Sequence, residues 1–373
     1  MYLLRYVKVP PSESPITPSN FGTPIGSHLF LFGAGGAASW VLQGFRRAGV
    51  PVAGFVDDNA DRIGAVAGLP VVRPDDPKAD RRRLAEATVV LAVMNPAVDE
   101  AALRVRLAEL GWGTVQSFGE FGRLELGRSG RSCGMLDPQA LAGHAAELKA
   151  ARSLLSDAHS RQVFDAFVAF CFELDDSGFP GITPNPYFPE DLPRWRQPLR
   201  MVDCGAFDGD TLRAAQRHRY EFEACVAFEP DPTNFAKLGP TVRSVRGGMA
   251  WPCGVSDRTK LLRFSAQGDT GSSVSERGEV AIQCVSLDDT IPHFAPSLIK
   301  LDIEGSEQAA LEGARRLIQE SRPGLAVSVY HLPSDIWRIP LLLSDTLGSR
   351  CSFFLRRHSR TIADTVLYVF PEP

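Results

Sequence analysis

Residues 201–231, MVDCGAFDGDTLRAAQRHRYEFEACVAFEPD, constrain the fold more than any other stretch of the chain. Met201 and Val202 close an apolar run that enters Asp203-Cys204-Gly205-Ala206-Phe207-Asp208-Gly209. Gly205 and Gly209 permit a tight turn that sets backbone N–H groups against a ligand, with a close approach where a Cβ would clash. Thr211 to His218 reads as a helix, and Ala224 to Phe228 as an apolar strand ending in Glu229. Gly205 and Glu229 stand 24 positions apart, near the ~20 between a nucleotide-binding glycine turn and its ribose-binding acid. A carboxylate there accepts hydrogen bonds from both ribose hydroxyls. The expected nucleoside site is therefore Asp203, Gly205, Ala206, Gly209 and Glu229. A helix starting after Gly209 would favour an anionic group at its N-terminus, with Asp210 as a cap or dipole partner.

The same pattern occurs earlier. HLFLFGAGGAASWVLQGFRRAG predicts a strand, a turn at Gly33 and Gly35, and a helix ended by Gly49. Val50 to Val56 follows as a strand with Asp57 and Asp58 at its end, a second candidate nucleotide site. Its alternative is a fold that binds nothing. Strands at 87–93 and 114–118 and a helix at 102–110 complete an α/β domain over residues 27–134. Residues 1–26, rich in Pro, Ser and Thr, read as an extended arm. Residues 135–196 read as a helical linker, with helices at 140–155 and 160–174, and then the Pro-rich loop GFPGITPNPYFPEDLP. Tyr187 and Phe188 in that loop are apolar enough to pack over a pocket or to cover a sheet edge.

The second domain spans 197–373. A short helix at 234–238, a strand at 242–249, a hairpin of 261–265 with 280–285 and a buried strand at 298–303 follow its opening unit. An amphipathic helix at 306–320, a strand at 325–330, and a helix at 335–347 that Pro340 bends come next. Strands at 352–356 and 365–370 finish the chain. Asp302 and His331 each follow a strand, where an open α/β sheet forms its ligand crevice. A histidine of pKa near ~6.5 suits proton removal from an attacking hydroxyl, so His331 is the candidate base, with His358 behind it. Asp302 has a helix-capping alternative. Glu304 and Gly305 read as turn-forming residues, and Asp288 and Asp289 as caps.

Composition excludes several classes. The net charge is −4 with no polybasic block, which argues against nucleic acid or an anionic membrane. No apolar run reaches the ~18 residues of a spanning helix, and the N-terminus lacks a signal-peptide pattern. The seven cysteines are scattered without a Cys-x-x-Cys pair, so reduced thiols, a cytoplasmic location and no metal site are expected.

The ordered motifs carry a family resemblance. Residues 202–211 (VDCGAFDGDT), 228–231 (FEPD), 254–257 (GVSD), 272–274 (SSV), 285–289 (VSLDD) and 299–305 (IKLDIEG) resemble the FkbM family of S-adenosylmethionine-dependent methyltransferases. Ser328-Val329-Tyr330-His331 and Asp335-Ile336-Trp337 also fit, while Leu355-Arg356-Arg357-His358-Ser359 departs from the family's Leu-Arg-His-Tyr-Ser. Residues 28–120 resemble the nucleotide-sugar-binding domain of sugar O-acyltransferases, through Phe32-Gly33-Ala34-Gly35-Gly36 and Gly54-Phe55-Val56-Asp57-Asp58-Asn59.

These resemblances imply an α/β protein of two Rossmann-like domains. The second would be a seven-stranded class I methyltransferase sheet with an antiparallel edge strand. They imply S-adenosyl-L-methionine as cofactor and Asp257 as a further cofactor contact. They also imply O-methylation of a sugar, glycan or natural-product acceptor, with a nucleotide-sugar in the first domain. An NAD-dependent enzyme, or a non-catalytic binding protein for nucleotide-sugars, is the alternative. No Tyr-x-x-x-Lys pair supports the NAD reading. Oligomeric state is unreadable.

Overall fold

The computed structural model describes residues 28–35, 38, 41–42, 45–46, 49–76, 81–93, 98–121, 143–173, 178–265, 273–274, 280–359 and 362–372. The extended arm, the end of the expected first domain (122–134) and the start of the expected linker (135–142) lie outside them. The chain divides into two units. The first holds residues 1–145, 165–179 and 359–361, and the second 146–164, 180–358 and 362–373. The stretch expected as a linker is thus divided between the units, and the Pro-rich loop belongs to the second from Pro180 onward.

The first unit contains β1 (Leu29–Phe32), β2 (Gly54–Val56), β3 (Ala65–Val66), β4 (Leu69–Val72), β5 (Thr88–Leu91) and β6 (Thr114–Ser117). Their order is β3-β4-β2-β1-β5-β6, parallel except for the β3–β4 hairpin. The strand expected over 50–56 shortens to its last three residues. Phe32, Val56, Val89, Leu91, Leu107 and Trp112 form its core.

The second unit contains β7 (Leu199–Cys204), β8 (Phe222–Phe228), β9 (Gly248–Trp251), β14 (Leu298–Leu301), β15 (Gly324–Ser328), β16 (Cys351–Arg357) and β17 (Thr365–Pro371). Their order is β16-β17-β15-β14-β7-β8-β9. Between β9 and β14 in the chain lie β10 (Gly254–Val255), β11 (Lys260–Ser265), β12 (Ser273–Val274) and β13 (Val280–Val285), a separate four-stranded sheet. It contains the expected antiparallel hairpin of β11 with β13.

In the large sheet, β7, β14 and β15 are almost wholly buried. This is why they read as continuous apolar runs rather than alternating ones. The chain winds outward from β7 through β8 to β9, then returns to β14 on the other side of β7. That reversal leaves a crevice at the carboxyl ends of β7 and β14. The antiparallel strand is β17, and it lies one place in from the edge. β16 runs out to the edge and β17 returns between it and β15.

Three expected elements differ in length. The short helix extends to Pro232–Ser244, with Pro232 at its start and the Asp231 side chain capping Thr233 and Asn234. It consumes the beginning of the expected strand, leaving only β9. The helix expected over 306–320 breaks into Glu307–Glu312 and Arg315–Ser321. Gly313 packs so closely that a Cβ there would lie 2.1 Å from the Ser256 carbonyl oxygen. Asp288 accepts the N–H groups of Arg316 and Leu317, so it caps the second piece.

The Pro-rich loop is fastened to this sheet. Thr183 donates its N–H to Arg357, Phe188 and Trp195 enter the core, and the Trp195 ring stacks on Phe370 at 4.4 Å. Arg356, nearly fully buried on β16, pairs with Asp157 and Asp191 at 2.7 Å each. His358 is enclosed, with Nδ1 2.7 Å from the Thr183 carbonyl and Nε2 2.8 Å from the Tyr368 hydroxyl. Its residue environment is a support for the loop and the last strand.

Burial pushes the His358 ring down to about 4. In the unfolded chain it would titrate near ~6.5. Above that value neither state carries the proton. Below it the unfolded state gains one first, so stability falls as pH drops from about 6.5 and levels off near 4. The loss is about 3 kcal/mol. Urea denaturation across this range should show it in the native chain, and His358→Gln should flatten that limb. An identical acid limb in both proteins would contradict the assignment.

Candidate functional site

The glycine turn after β7 is built against its own protein. Gly205 has φ +78°, and a Cβ there would lie 1.9 Å from the Asp302 carbonyl oxygen. Gly209 has φ +86°, and a Cβ there would lie 2.7 Å from the Thr241 side chain. Both glycines are thus required by the approach of neighbouring chain, in addition to any ligand. The N–H groups of Gly205 and Ala206 donate to the Phe228 carbonyl at 3.0 Å, and that of Gly209 to Ala206. Phe207 N–H donates to Glu229 Oε2 at 2.8 Å. The expectation that these amides face a ligand is therefore corrected: the turn spends them on the last residue of β8, on Glu229 after it and on itself. What remains open is the head of the helix Asp210–Arg217, where no side chain caps and the buried Thr211 hydroxyl lacks a partner.

Glu229 ends β8 as expected, nearly buried. Its second oxygen, Oε1, accepts the Asp231 N–H at 2.8 Å. Burial raises its carboxyl above the ordinary range, with the Asp231 and Phe207 amides opposing. A carboxylate has about four lone-pair directions, so capacity for two ribose hydroxyls remains. Beside it, Glu229 donates its N–H to the carbonyl of Trp251 at the end of β9, a residue 39% exposed whose ring stacks on Phe228. Asp257 is held by Lys260 at 2.6 Å and by the Ser256 hydroxyl. The Lys260 bond pulls its carboxyl down to about 2.

Asp203 is fully buried under the turn and faces Lys300 rather than the crevice. Lys300 Nζ lies 3.1 Å from Asp203 Oδ1, outside hydrogen-bonding alignment, so the carboxylate has no hydrogen-bond partner. The ammonium instead donates to the Gly205 carbonyl at 2.6 Å and stands 5.3 Å from the centre of the Tyr187 ring. Burial pushes Asp203 up to about 6, with Lys300 opposing. Burial works against the Lys300 charge too, but Asp203, Asp302 and Asp210 outweigh it and raise the group. Sequence reasoning missed Lys300. The signal was a single charge inside the buried run Leu298-Ile299-Lys300-Leu301.

Across the crevice, Asp302 and His331 come together as expected from the ends of β14 and β15. Tyr187 donates its hydroxyl to Asp302 Oδ2 at 2.7 Å. Asp302 Oδ1 is buried without a hydrogen-bond partner. Burial alone would raise this carboxyl, but Lys300, His331 and Tyr187 hold it below the ordinary range. His331 Nε2 is 3.5 Å from Asp302 Oδ1 and 3.6 Å from Glu304 Oε2, and Nδ1 is 2.8 Å from Glu307 Oε1. Burial disfavours charge on the ring, yet Glu307, Asp302 and Glu304 outweigh it and push the ring up to about 10. The ring therefore holds a proton at neutral pH, rather than standing ready to take one. Glu307, not Asp302, closes the turn before the helix, accepting the N–H groups of Ile303 and Gly305.

In the first unit, Gly33 has φ +97° and Ala34 donates its N–H to Asp57 Oδ2 at 2.8 Å. Asp58 is paired with Arg106, which lowers its carboxyl. Gly35 has open space where a Cβ would stand.

Removing one member of a buried ion pair strands the other, at a cost of ~3–5 kcal/mol. Lys300→Met should therefore destabilise the second unit by about that amount in urea denaturation. Asp203→Asn combined with Lys300→Met should recover most of the loss. A double variant no more stable than the single one would show that Lys300 acts apart from Asp203.

Comparison with known proteins bears on this geometry. No curated protein matches the chain. The crystal structure of methyltransferase FkbM from Methylobacillus flagellatus KT is similar in fold, with a TM-score of 0.65 and 23% identity, covering 92% of this chain and 90% of that one. Among the described residues, no helix is long and apolar enough to cross a membrane. Residues 203–358, which run from the buried Asp203 to the enclosed His358, match the family model of the methyltransferase FkbM domain.

Proposed function

We propose that the second unit is an S-adenosylmethionine-dependent O-methyltransferase acting on a hydroxyl of a sugar, glycan or natural product. The observation that carries this reading is the pairing of two clusters on either side of the β7–β14 reversal. One is an acid at the end of β8, and the other is the Tyr187–Asp302–His331 group. The residues fit the cofactor. Glu229 retains lone pairs for ribose hydroxyls, Trp251 offers an exposed ring beside it, and the uncapped helix at Asp210 with the orphaned Thr211 hydroxyl suits a carboxylate. When bound, S-adenosylmethionine supplies an electrophilic methyl group.

The chain's own task is to align the acceptor oxygen with that methyl, since orientation alone supplies ~7–11 kcal/mol. The proton of the attacking hydroxyl leaves toward the Asp302–His331 cluster. Asp302 is positioned by Tyr187, and His331 balances the charge of the carboxylates around it. The first unit, whose turn resembles nucleotide-sugar domains, is proposed to bind a nucleotide-sugar. The NAD alternative gains no specific support, because Asp57 accepts an amide of its own turn and Asp58 is neutralised by Arg106.

Glu229→Ala should weaken S-adenosylhomocysteine binding by ~1.5–3 kcal/mol, about ten- to a hundredfold by calorimetry. Asp57→Ala in the first unit should leave that affinity unchanged. The reverse pattern would move the nucleoside site to the first unit.

Asp302→Asn should lower kcat by ~10²–10⁴ while S-adenosylhomocysteine affinity stays near the native value. A matching loss in affinity would place Asp302 in cofactor binding instead.

A further inference from the structure

We propose that the carboxylates around Asp302 select the cofactor by charge, so that the crevice holds the sulfonium form, S-adenosylmethionine, in preference to the neutral thioether product. The inference rests on the S-adenosylmethionine reading given above. It adds what Asp302, Glu304 and Glu307 do within that reading: they set the balance between cofactor binding and product release.

Four carboxyls and two cationic side chains meet here. Lys300 Nζ lies 3.1 Å from Asp203 Oδ1, and these two charges offset one another in the buried floor. The second cation, His331, faces three carboxyls: Glu307 Oε1 at 2.8 Å, Asp302 Oδ1 at 3.5 Å and Glu304 Oε2 at 3.6 Å. The ring is counted as charged: burial disfavours its proton, but Glu307, Asp302 and Glu304 outweigh burial and push it up to about 10. It therefore offsets one of the three and leaves the other two uncompensated. Asp335 and Asp364 also act on this ring. Burial pushes both of them up to about 6, so they add negative charge at neutral pH.

Asp302 ties this charge to the cofactor site. A Cβ at Gly205 would lie 1.9 Å from its carbonyl oxygen, so its backbone packs directly on the glycine turn. Tyr187 engages Oδ2 at 2.7 Å, while Oδ1 is buried without a hydrogen-bond partner. A carboxylate oxygen left so is costly, and a positive charge in the crevice relieves that cost. An independent feature marks the same crevice for a ligand: Thr211, at the uncapped helix head, is 2% exposed and its hydroxyl has no partner.

S-adenosylmethionine and S-adenosylhomocysteine differ by one methyl group and by one positive charge at sulfur. Their ribose, adenine and amino-acid ends are the same, so contacts to those ends do not separate them. Charged groups that sense the sulfur do, and in a partly enclosed site they are screened less than at a surface. Once the methyl has left, the sulfur is neutral and this part of the attraction is gone. Exchange of product for fresh cofactor is then favoured.

The test is calorimetry on the full-length chain with three ligands: S-adenosylmethionine, S-adenosylhomocysteine and sinefungin, in which a protonated amine replaces the sulfonium. The native protein is expected to bind both cationic ligands at least about tenfold more tightly than S-adenosylhomocysteine. Asp302→Asn should cut that ratio about tenfold while S-adenosylhomocysteine affinity stays near the native value, which also shows that the variant is folded. Glu304→Gln, on a side chain 34% exposed, should lower the ratio in the same direction and serves where Asp302→Asn does not fold. His331→Gln should raise the ratio, because it removes the opposing positive charge. A purely structural role for these side chains gives no such opposite signs. A native ratio at or below one, or a ratio unchanged in both carboxylate variants, would overturn the proposal. Native protein that binds none of the three ligands would remove the methyltransferase reading on which it rests, a result distinct from either of those.

Discussion

The buried charge of Lys300 holds the crevice of the second unit together. An ammonium removed from water costs several kcal/mol unless its surroundings replace the lost hydration. Here Asp203, the Gly205 carbonyl and the Tyr187 ring do so from three directions. Each comes from a different part of the chain: the end of β7, the glycine turn and the Pro-rich loop. The same geometry fixes Asp302, because Gly205 packs on its carbonyl and Tyr187 bonds its carboxylate. The floor of the crevice and one of its reactive groups therefore share a single constraint.

Both units use one device at their glycine turns. Asp57 accepts the Ala34 amide with one oxygen and the Asn59 amide with the other. Glu229 does the same with Phe207 and Asp231. In each case the acid after the next strand latches the turn and bends the chain that follows it. This similarity explains why the two turns read alike in sequence. Their surroundings differ. The acid next to Asp57 is neutralised by Arg106, whereas Glu229 has an exposed indole beside it. Turn and acid alone mark a scaffold, and neighbouring groups decide whether it can serve a ligand.

Much of this was legible in the residues. The βαβ unit around Gly205, the buried strands and the hairpin of β11 with β13 follow from apolar runs and turn chemistry, which are local. The placement of Asp302 and His331 at one crevice followed from strand ends and an assumed order. What stayed hidden depended on distant contacts. The break at Gly313 is set by the Ser256 backbone. The proton held by His331 is set by Glu307, Asp302 and Glu304 together, since a histidine's own pKa is an ordinary one until its neighbours are known. The turn amides were expected to face a ligand because the spacing to Glu229 is right, but spacing does not say that Phe228 takes them first. The place of β17 inside the sheet likewise depends on how β16 reaches the edge.

The central claim is that the nucleoside site lies at the carboxyl ends of β7 and β8. A crystal structure of the full chain grown with S-adenosylhomocysteine tests it most directly. The account predicts ribose hydroxyls on Glu229, the amino-acid end at the head of the helix Asp210–Arg217, and sulfur facing the Asp302–His331 cluster. Electron density for the ligand at the Gly33–Asp57 turn of the first unit, with the second-unit crevice holding only water, would contradict it.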